Sequence, residues 1–395
     1  MTPLGAITDL LPKVINYRLA RLGILAPGRP INLTLSVTNS CQSRCKTCSI
    51  WQMYRGGRGS RCGRVQDEMT LADFEKLFES LGHVYFVNIS GGEPFLRADL
   101  ARVVELANVL LTPGVIHIPT NAVMPERIEE VTEDILSRLS ASGRKVVVTV
   151  KPSFDGLGQL HDEIRGVPGN FDKLLDTLDR LKRLRRRYRN LEVGAGTVIS
   201  SFNVHSIPEL ARFVHSLGLD SYISEIAEQR SEMFNQSDAI TPSADEYEEA
   251  VAAFAAESRN HIGDAGQVGR TTAAFRLVYY DLVVRILREK RQVLPCYGGI
   301  SNVHISPFGD VWPCCVLGYE GSIGKLADAG YDFWKIWRSR RAREIRSYIR
   351  AGKCWCPLAN QAYSNMLASP LTMARVLAVI PGRLTSVRRS SEQTT

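Results

Sequence analysis

Three cysteines on one short segment, Cys41, Cys45 and Cys48 in SVTNSCQSRCKTCSIW, are the residues best suited to chemistry in this 395-residue chain. Their Cys-x3-Cys-x2-Cys spacing directly follows an apolar, β-rich run. Three thiolates on one loop can hold three corners of a cubic iron–sulfur cluster and leave the fourth iron open. An open metal position is also what separates catalytic from structural zinc sites. Structural zinc is the competing reading, and it needs a fourth ligand. Cys62, within the Gly/Arg-rich stretch 55–64, is the only nearby candidate.

A second group of thiols lies far down the chain: Cys296, Cys314, Cys315, Cys354 and Cys356. Four thiolates drawn from separate segments can close a metal centre completely, which suits structure or electron transfer rather than substrate activation. Between the two groups, Gly91-Gly92-Glu93-Pro94 ends an apolar run. Paired glycines let a backbone approach closely, and a carboxylate beside exposed peptide groups suits an ammonium. An ordinary strand-to-helix turn explains the same four residues.

These residues need a frame. From residue 31 to about 230, short β-rich runs alternate with helical patterns. Strands are expected at Ile31–Thr38, Val84–Ser90, Val115–Pro119, Val146–Val150, Glu192–Ser200 and Ser221–Glu225. Helices are expected at Thr70–Leu81, Asp99–Leu111, Glu126–Ser140, Phe171–Arg187 and Ile207–Leu217, the first opened by a Thr70/Asp73 capping box. Six β-then-α units imply a parallel sheet with right-handed crossovers. The expected class is α/β: a partial (β/α)6 barrel, with chemistry at the carboxyl ends of its strands. Residues 1–30 precede it as an amphipathic helix. Residues 231–292 form a helical connection, and 293–360 a small hairpin-plus-helix extension with a turn at Ser306–Asp310. Residues 361–395 complete the chain as a helix and a polar tail from Gly382.

The three-cysteine loop after strand one, joined to GGEP after strand two, resembles the radical S-adenosylmethionine (radical SAM) superfamily over residues 31–230. The resemblance implies that Cys41, Cys45 and Cys48 hold a 4Fe-4S cluster whose free iron chelates SAM. It places Gly91, Gly92, Glu93 and Pro94 beside the SAM amino group. It further implies that polar residues after strands four and five touch the SAM ribose and carboxylate. Ser153 and Asn203 fill those places, where turn chemistry is an equal explanation; Thr120, Asn121, Asp155 and Ser200 also close strands. Thr47 departs from the family's usual aromatic residue before the third cysteine, and Trp51 is a substitute ring. His161, in HDEIRGVPGNFD, is read as structural. The late cysteines resemble a SPASM/twitch extension, which implies a second, auxiliary 4Fe-4S cluster on Cys296, Cys314, Cys354 and Cys356. Cys315 is the alternative to Cys314, and zinc is the rival metal.

The implied reaction is reductive cleavage of SAM to a 5′-deoxyadenosyl radical that takes hydrogen from a substrate. It needs a reducing donor such as flavodoxin or ferredoxin, with the auxiliary cluster transferring electrons. A small polar or lipid-linked substrate is the leading expectation, with Glu225, Glu228 and Arg230 as candidate pocket residues. A ribosomal-peptide maturase that crosslinks or epimerises is the alternative, because residues 1–30 leave little room for a peptide-recognition domain. A non-enzymatic metal scaffold is the third reading. The charge of +8, from 49 Lys+Arg against 41 Asp+Glu, gathers in Arg180–Arg189 and Lys335–Arg350. RNA-binding motifs are absent from the sequence, so nucleic acid is not the expected partner. The segment MTPLGAITDL is not a signal sequence, no apolar run reaches about 18 residues, and a cytoplasmic enzyme is expected. The basic amphipathic stretches Leu10–Leu22 and Leu371–Val379 allow peripheral membrane contact.

Overall fold

The computed structural model describes residues 3–54, 63–261 and 267–379; Cys62 and the tail from Gly382 lie outside them. Strands β1 (Asn32–Ser36), β2 (Phe86–Ser90), β3 (Val115–Thr120), β4 (Val147–Pro152), β5 (Leu191–Ile199) and β6 (Ser221–Ile226) fall within two residues of the expected positions. All five neighbouring pairs are parallel. The sheet continues past β1 into β7 (Asn302–Ile305), β8 (Asp310–Trp312) and β9 (Gly324–Lys325), in the order β6-β5-β4-β3-β2-β1-β7-β8-β9. Thus the cysteine-bearing hairpin extends the barrel sheet instead of sitting apart from it, because β7 pairs in parallel with β1.

The helices are α1 (Pro3–Leu22), α2 (Leu71–Leu81), α3 (Leu100–Leu110), α4 (Pro125–Ala141), α5 (Gln159–Arg165), α6 (Asn170–Arg187) and α7 (Ile207–Ser216). They continue with α8 (Ala244–His261), α9 (Gln267–Glu289), α10 (Phe333–Trp337), α11 (Arg340–Arg350), α12 (Ala359–Leu367) and α13 (Pro370–Val379). Helix α2 begins as its sequence dictates: the Asp73 carboxylate accepts from Thr70 N at 2.9 Å, and Asp73 N donates to Thr70 Oγ1 at 3.3 Å. Helix α1 lays Tyr17 and Ala20 against Tyr297, Ile300 and Ala368, which gives one side of the basic N-terminal helix a packing role. No described helix is long and apolar enough to cross a membrane.

The strands alternate, and that alternation makes an interior. Leu33, Leu35, Val87, Ile89, Ile116, Ile118, Val148 and Val150 are buried in the main core. The intervening positions are polar and in register: His304, Thr34, Asn88, His117, Thr149 and Glu192 lie on one rung across six strands. Parallel strands covered on both faces usually read as continuous apolar runs. Polar residues at period two therefore mark the second face as the lining of a chamber, with its mouth at the strand ends.

Candidate functional site

The loop carrying Cys41, Cys45 and Cys48 leaves the end of β1 and is gripped by backbone from three sides. At the end of β2, Gly92 N donates to Thr38 O at 2.7 Å and Glu93 N to Ser40 O at 2.8 Å. This approach requires glycine. A Cβ on Gly91, whose φ is +132°, would stand 2.1 Å from Thr38 O, and one on Gly92 would stand 2.3 Å from Ser40 O. On the opposite side, Arg44 N donates to Arg165 O and Lys46 N to Ile164 O, at 3.0 and 2.9 Å. Gly166 follows with φ +64°, where a Cβ would meet Arg44 O at 2.4 Å. From beyond β6, Met233 O accepts from Ser49 N at 2.9 Å, and Asn235 Nδ2 donates to Thr47 O at 2.8 Å. Trp51 lies beside the loop under the Arg44 guanidinium, 5.9 Å from its ring centre.

Glu93 is buried, and its carboxylate accepts from Phe95 N (3.2 Å), Thr120 Oγ1 (2.9 Å) and Asn121 N (2.7 Å). Burial pushes it up to about 7 against these donors. The carboxylate thus ties the end of β2 to the end of β3. Pro94 is buried and opens the short 3-10 turn Pro94–Leu96 that Glu93 caps. Asn203 makes the turn bonds that were the equal explanation for its place. Its Oδ1 accepts from Ser200 N (2.7 Å) and Ser200 Oγ (3.2 Å), and its Nδ2 donates to Asp155 O (2.8 Å) and Val198 O (3.0 Å). The amide staples the ends of β4 and β5 and has no group left for a ligand. Ser153 is different: it bridges to Gly196 through backbone, and its half-buried hydroxyl has no partner among the described residues. His161 is buried against Phe154 and Phe171, pushed down to about 4 by burial, and accepts from Asp155 N at 3.2 Å, a structural role.

Arg165 was not anticipated. It ends α5, a helix of only seven residues between Gly158 and Gly166. Its Nη1 pairs with Asp155 at 3.0 Å, while its buried Nε has no partner. Cys45 lowers the energy of this cation, and Cys41 does so more weakly. The Arg-Gly step within HDEIRG was the available signal, since a cation just before a helix-ending glycine can be aimed at what that turn touches. Burial pushes the Cys41 thiol up to about 12, and Cys45 and Cys48 rise for the same reason.

The second centre lies beside β7 and β8. Cys296, Cys314, Cys354 and Cys356 line one pocket with Trp355, Ile349 and Leu317. Cys315 points elsewhere, into the barrel chamber, where it meets His304 and Glu232 with all three ligand atoms within 4.8 Å of one another. Ser36 Oγ bonds His304 Nε2 at 2.7 Å and Glu232 at 3.3 Å. Arg230 offsets the local acid charge and holds Glu228 at 2.9 Å, although Glu228 Oε1 stays buried without a partner. Glu225 lies 3.9 Å from Arg276. Among the described residues neither cysteine set draws three thiols within 4.8 Å of one another. A single zinc with thiolates at about 2.3 Å needs them closer than that.

The parallel α/β barrel thus carries one three-thiol loop at the ends of its strands and one four-thiol pocket at its edge. Family comparison agrees on both parts: residues 35–214 match the radical SAM superfamily, and residues 296–357 match the SPASM iron–sulfur cluster-binding domain. The chain is a radical SAM superfamily enzyme carrying a SPASM domain, with a SAM-binding 4Fe-4S cluster, auxiliary iron–sulfur ligation and SAM as its cofactors. It is 22% identical to the antilisterial bacteriocin subtilosin biosynthesis protein AlbA of Bacillus subtilis over 82% of this chain, and spans 65% of that protein's length. It is 26% identical to the AdoMet-dependent heme synthase of Oleidesulfovibrio alaskensis, over 80% of this chain and 77% of that one. It is 25% identical to the PqqA peptide cyclase of Xanthomonas campestris pv. campestris, over 72% of this chain and 67% of that one. Its fold matches Streptococcus suis SuiB, solved with its precursor peptide SuiA, at a TM-score of 0.57 and 15% identity, over 88% of this chain and 72% of SuiB.

Proposed function

We propose that this chain is a radical SAM peptide maturase, altering a residue of a ribosomal precursor peptide held in the barrel chamber. The supporting observation is its likeness to AlbA and to a PqqA peptide cyclase over most of its length. This favours the peptide reading over the small polar or lipid-linked substrate that the sequence first suggested. In this proposal Cys41, Cys45 and Cys48 hold the SAM-binding cluster, and Cys296, Cys314, Cys354 and Cys356 hold the auxiliary one. Bound there, cluster and SAM together supply a 5′-deoxyadenosyl radical that removes a hydrogen atom from the substrate.

The chain's own groups do the positioning. Gly91, Gly92 and α5 fix the thiol loop. Arg165 offers a buried N–H to an anionic group, and Ser153 offers a free hydroxyl at the chamber mouth. Glu228, raised to about 7 by burial, can hold or take a proton at Oε1 near neutral pH. The polar rung from His304 to Glu192 provides hydrogen bonds for a peptide backbone, while the surrounding strands exclude water.

The test is anaerobic reconstitution with iron and sulfide, then SAM, a strong reductant and short peptides encoded beside the gene. The expected result is about eight irons per chain, 5′-deoxyadenosine, and a peptide that either loses hydrogen on crosslinking or exchanges it with solvent on epimerisation. Formation of 5′-deoxyadenosine without any peptide change, coupled to consumption of a small-molecule acceptor, would overturn the peptide reading.

A further inference from the structure

The two basic stretches of the sequence have different fates. On α6, Arg180 pairs with Glu126, Glu129 and Asp176 at 2.8, 2.7 and 3.0 Å, Arg185 with Asp220 at 2.8 Å, and Arg187 with Glu133 at 2.7 Å. Those three arginines are paired within the fold, whereas the exposed Arg186 has no acidic partner among the described residues. Between Lys335 and Lys353 the only acid is Glu344, which pairs with Arg340 and Arg341. Arg338, Arg343, Arg350 and Lys353 are exposed and have no acidic partner among the described residues. A field of one sign left unpaired on a folded surface attracts a partner of the other sign.

The location gives that field a purpose. Ile349, on the buried side of α11, lines the four-cysteine pocket, and so does Trp355, which is 40% exposed. Gln292 Nε2 donates to both Ile349 O (2.8 Å) and Cys354 O (2.9 Å), locking the end of α11 to a cysteine of the pocket. Arg21 Nε donates to Cys296 O at 3.1 Å, and Arg350 reaches Arg21 O at 3.3 Å. Where this pocket nears solvent, it is therefore edged by cations and one exposed indole.

We propose that the arginine face of α11, with Trp355 at its edge, is the docking surface for a small acidic one-electron carrier protein serving the four-cysteine centre. The inference rests on the reading of that centre as an electron-carrying cluster. Redox encounters use small interfaces, where charge steering sets the approach and an aromatic anchor sets the contact. The carrier passes one electron and no group, so the step requires only its reduced form.

The experiment titrates the holoprotein with oxidised flavodoxin at low and high salt, reading affinity by calorimetry. The variant R343E/R350E/K353E is expected to bind about tenfold more weakly at low salt, with the difference fading near 0.5 M as about 4 Å screening sets in. R183E/R186E, on exposed arginines of α6, is expected to bind as wild type does. R343Q/R350Q/K353Q replaces the glutamate variant if the latter fails to fold. Reduced flavodoxin should then drive 5′-deoxyadenosine formation about tenfold more slowly in the α11 variant, with dithionite-driven formation unchanged. Equal flavodoxin affinity in wild type and the α11 variant would overturn the docking surface. So would displacement of flavodoxin by a short RNA that binds α11 more tightly. Failure of dithionite to support cleavage in wild type would instead count against the proposed function.

Discussion

The two thiol centres are built on opposite principles. The loop of Cys41, Cys45 and Cys48 is one continuous segment, shaped by backbone hydrogen bonds from the end of β2, from α5 and from the segment after β6. The pocket of Cys296, Cys314, Cys354 and Cys356 gathers three separate segments, joined by side chains such as Gln292 and by packing around Leu317, Ile349 and Leu358. A site that must admit a ligand keeps one side free, so its protein side has to be fixed rigidly by backbone. A site closed by four thiols is organised by what it binds, and needs less scaffolding. The difference teaches where each centre is fragile: the loop at its glycines, the pocket at its ligands.

The sharpest break of this comparison is removal of one thiol from each centre. Cys45→Ala should lower SAM cleavage by more than about a thousandfold and leave about four irons, those of the closed pocket. Cys356→Ala should also leave about four irons, but dithionite-driven SAM cleavage should persist within a few-fold while peptide turnover is lost. Iron counts and 5′-deoxyadenosine yields check both. Cys315→Ser should keep the full iron count, because that thiol faces the chamber and not the pocket. Loss of half its iron would reverse the assignment of the adjacent pair.

Next in size is the glycine clamp. Gly91→Ala puts a methyl 2.1 Å from Thr38 O at a φ of +132°, so the β1 and β2 ends must part. A destabilisation of about 3 kcal/mol is expected, read by denaturation, together with loss of the first cluster and retention of the second.

How much of this was legible in the sequence follows from the range of each interaction. The thiol triad and GGEP were visible because their meaning is local spacing, and the barrel because alternating runs of period 2 and 3.6 report burial directly. The four late cysteines could be grouped by type alone, but the choice between Cys314 and Cys315 depends on which way each side chain leaves the strand end after Trp312. The bonds that tie Glu93 to Thr120 and Asn121, and Asn203 to Asp155, were not legible because they run to the ends of other strands, which no local pattern records. Helix α5 was missed because seven residues between two positive-φ glycines show too little periodicity. The parallel joining of β7 to β1 was hidden because a hairpin signal says nothing about its outer neighbour.

A smaller effect separates chamber from scaffold through pH. Glu228 is buried with a folded value near 7, above its ordinary 4.5. Its neutral form is the one the fold prefers, so its contribution is complete below about pH 4.5 and is lost as pH rises through 7. Between pH 5 and 8 the chain should lose about 2.5 kcal/mol from this group. Glu228→Gln, which mimics the neutral form, should show a flatter profile in thermal unfolding, its stability rising relative to wild type as pH passes through 7. An unchanged slope would place the titration elsewhere.

The finest test compares Ser153 with Asn203, two polar residues that the sequence assigned to the same task. Asn203→Ala strands Ser200 N and the carbonyls of Asp155 and Val198 in a buried setting, costing about 2 kcal/mol of stability. Its effect on SAM affinity should vanish once the protein is folded and loaded. Ser153→Ala removes a hydroxyl with no protein partner, so stability should change by less than about 0.5 kcal/mol. Its SAM dissociation constant should nevertheless rise, by about tenfold for one lost hydrogen bond. The opposite result, a stability loss at Ser153 and an affinity loss at Asn203, would return Asn203 to the ligand side of the mouth. It would also mean that the β4–β5 staple opens when SAM binds.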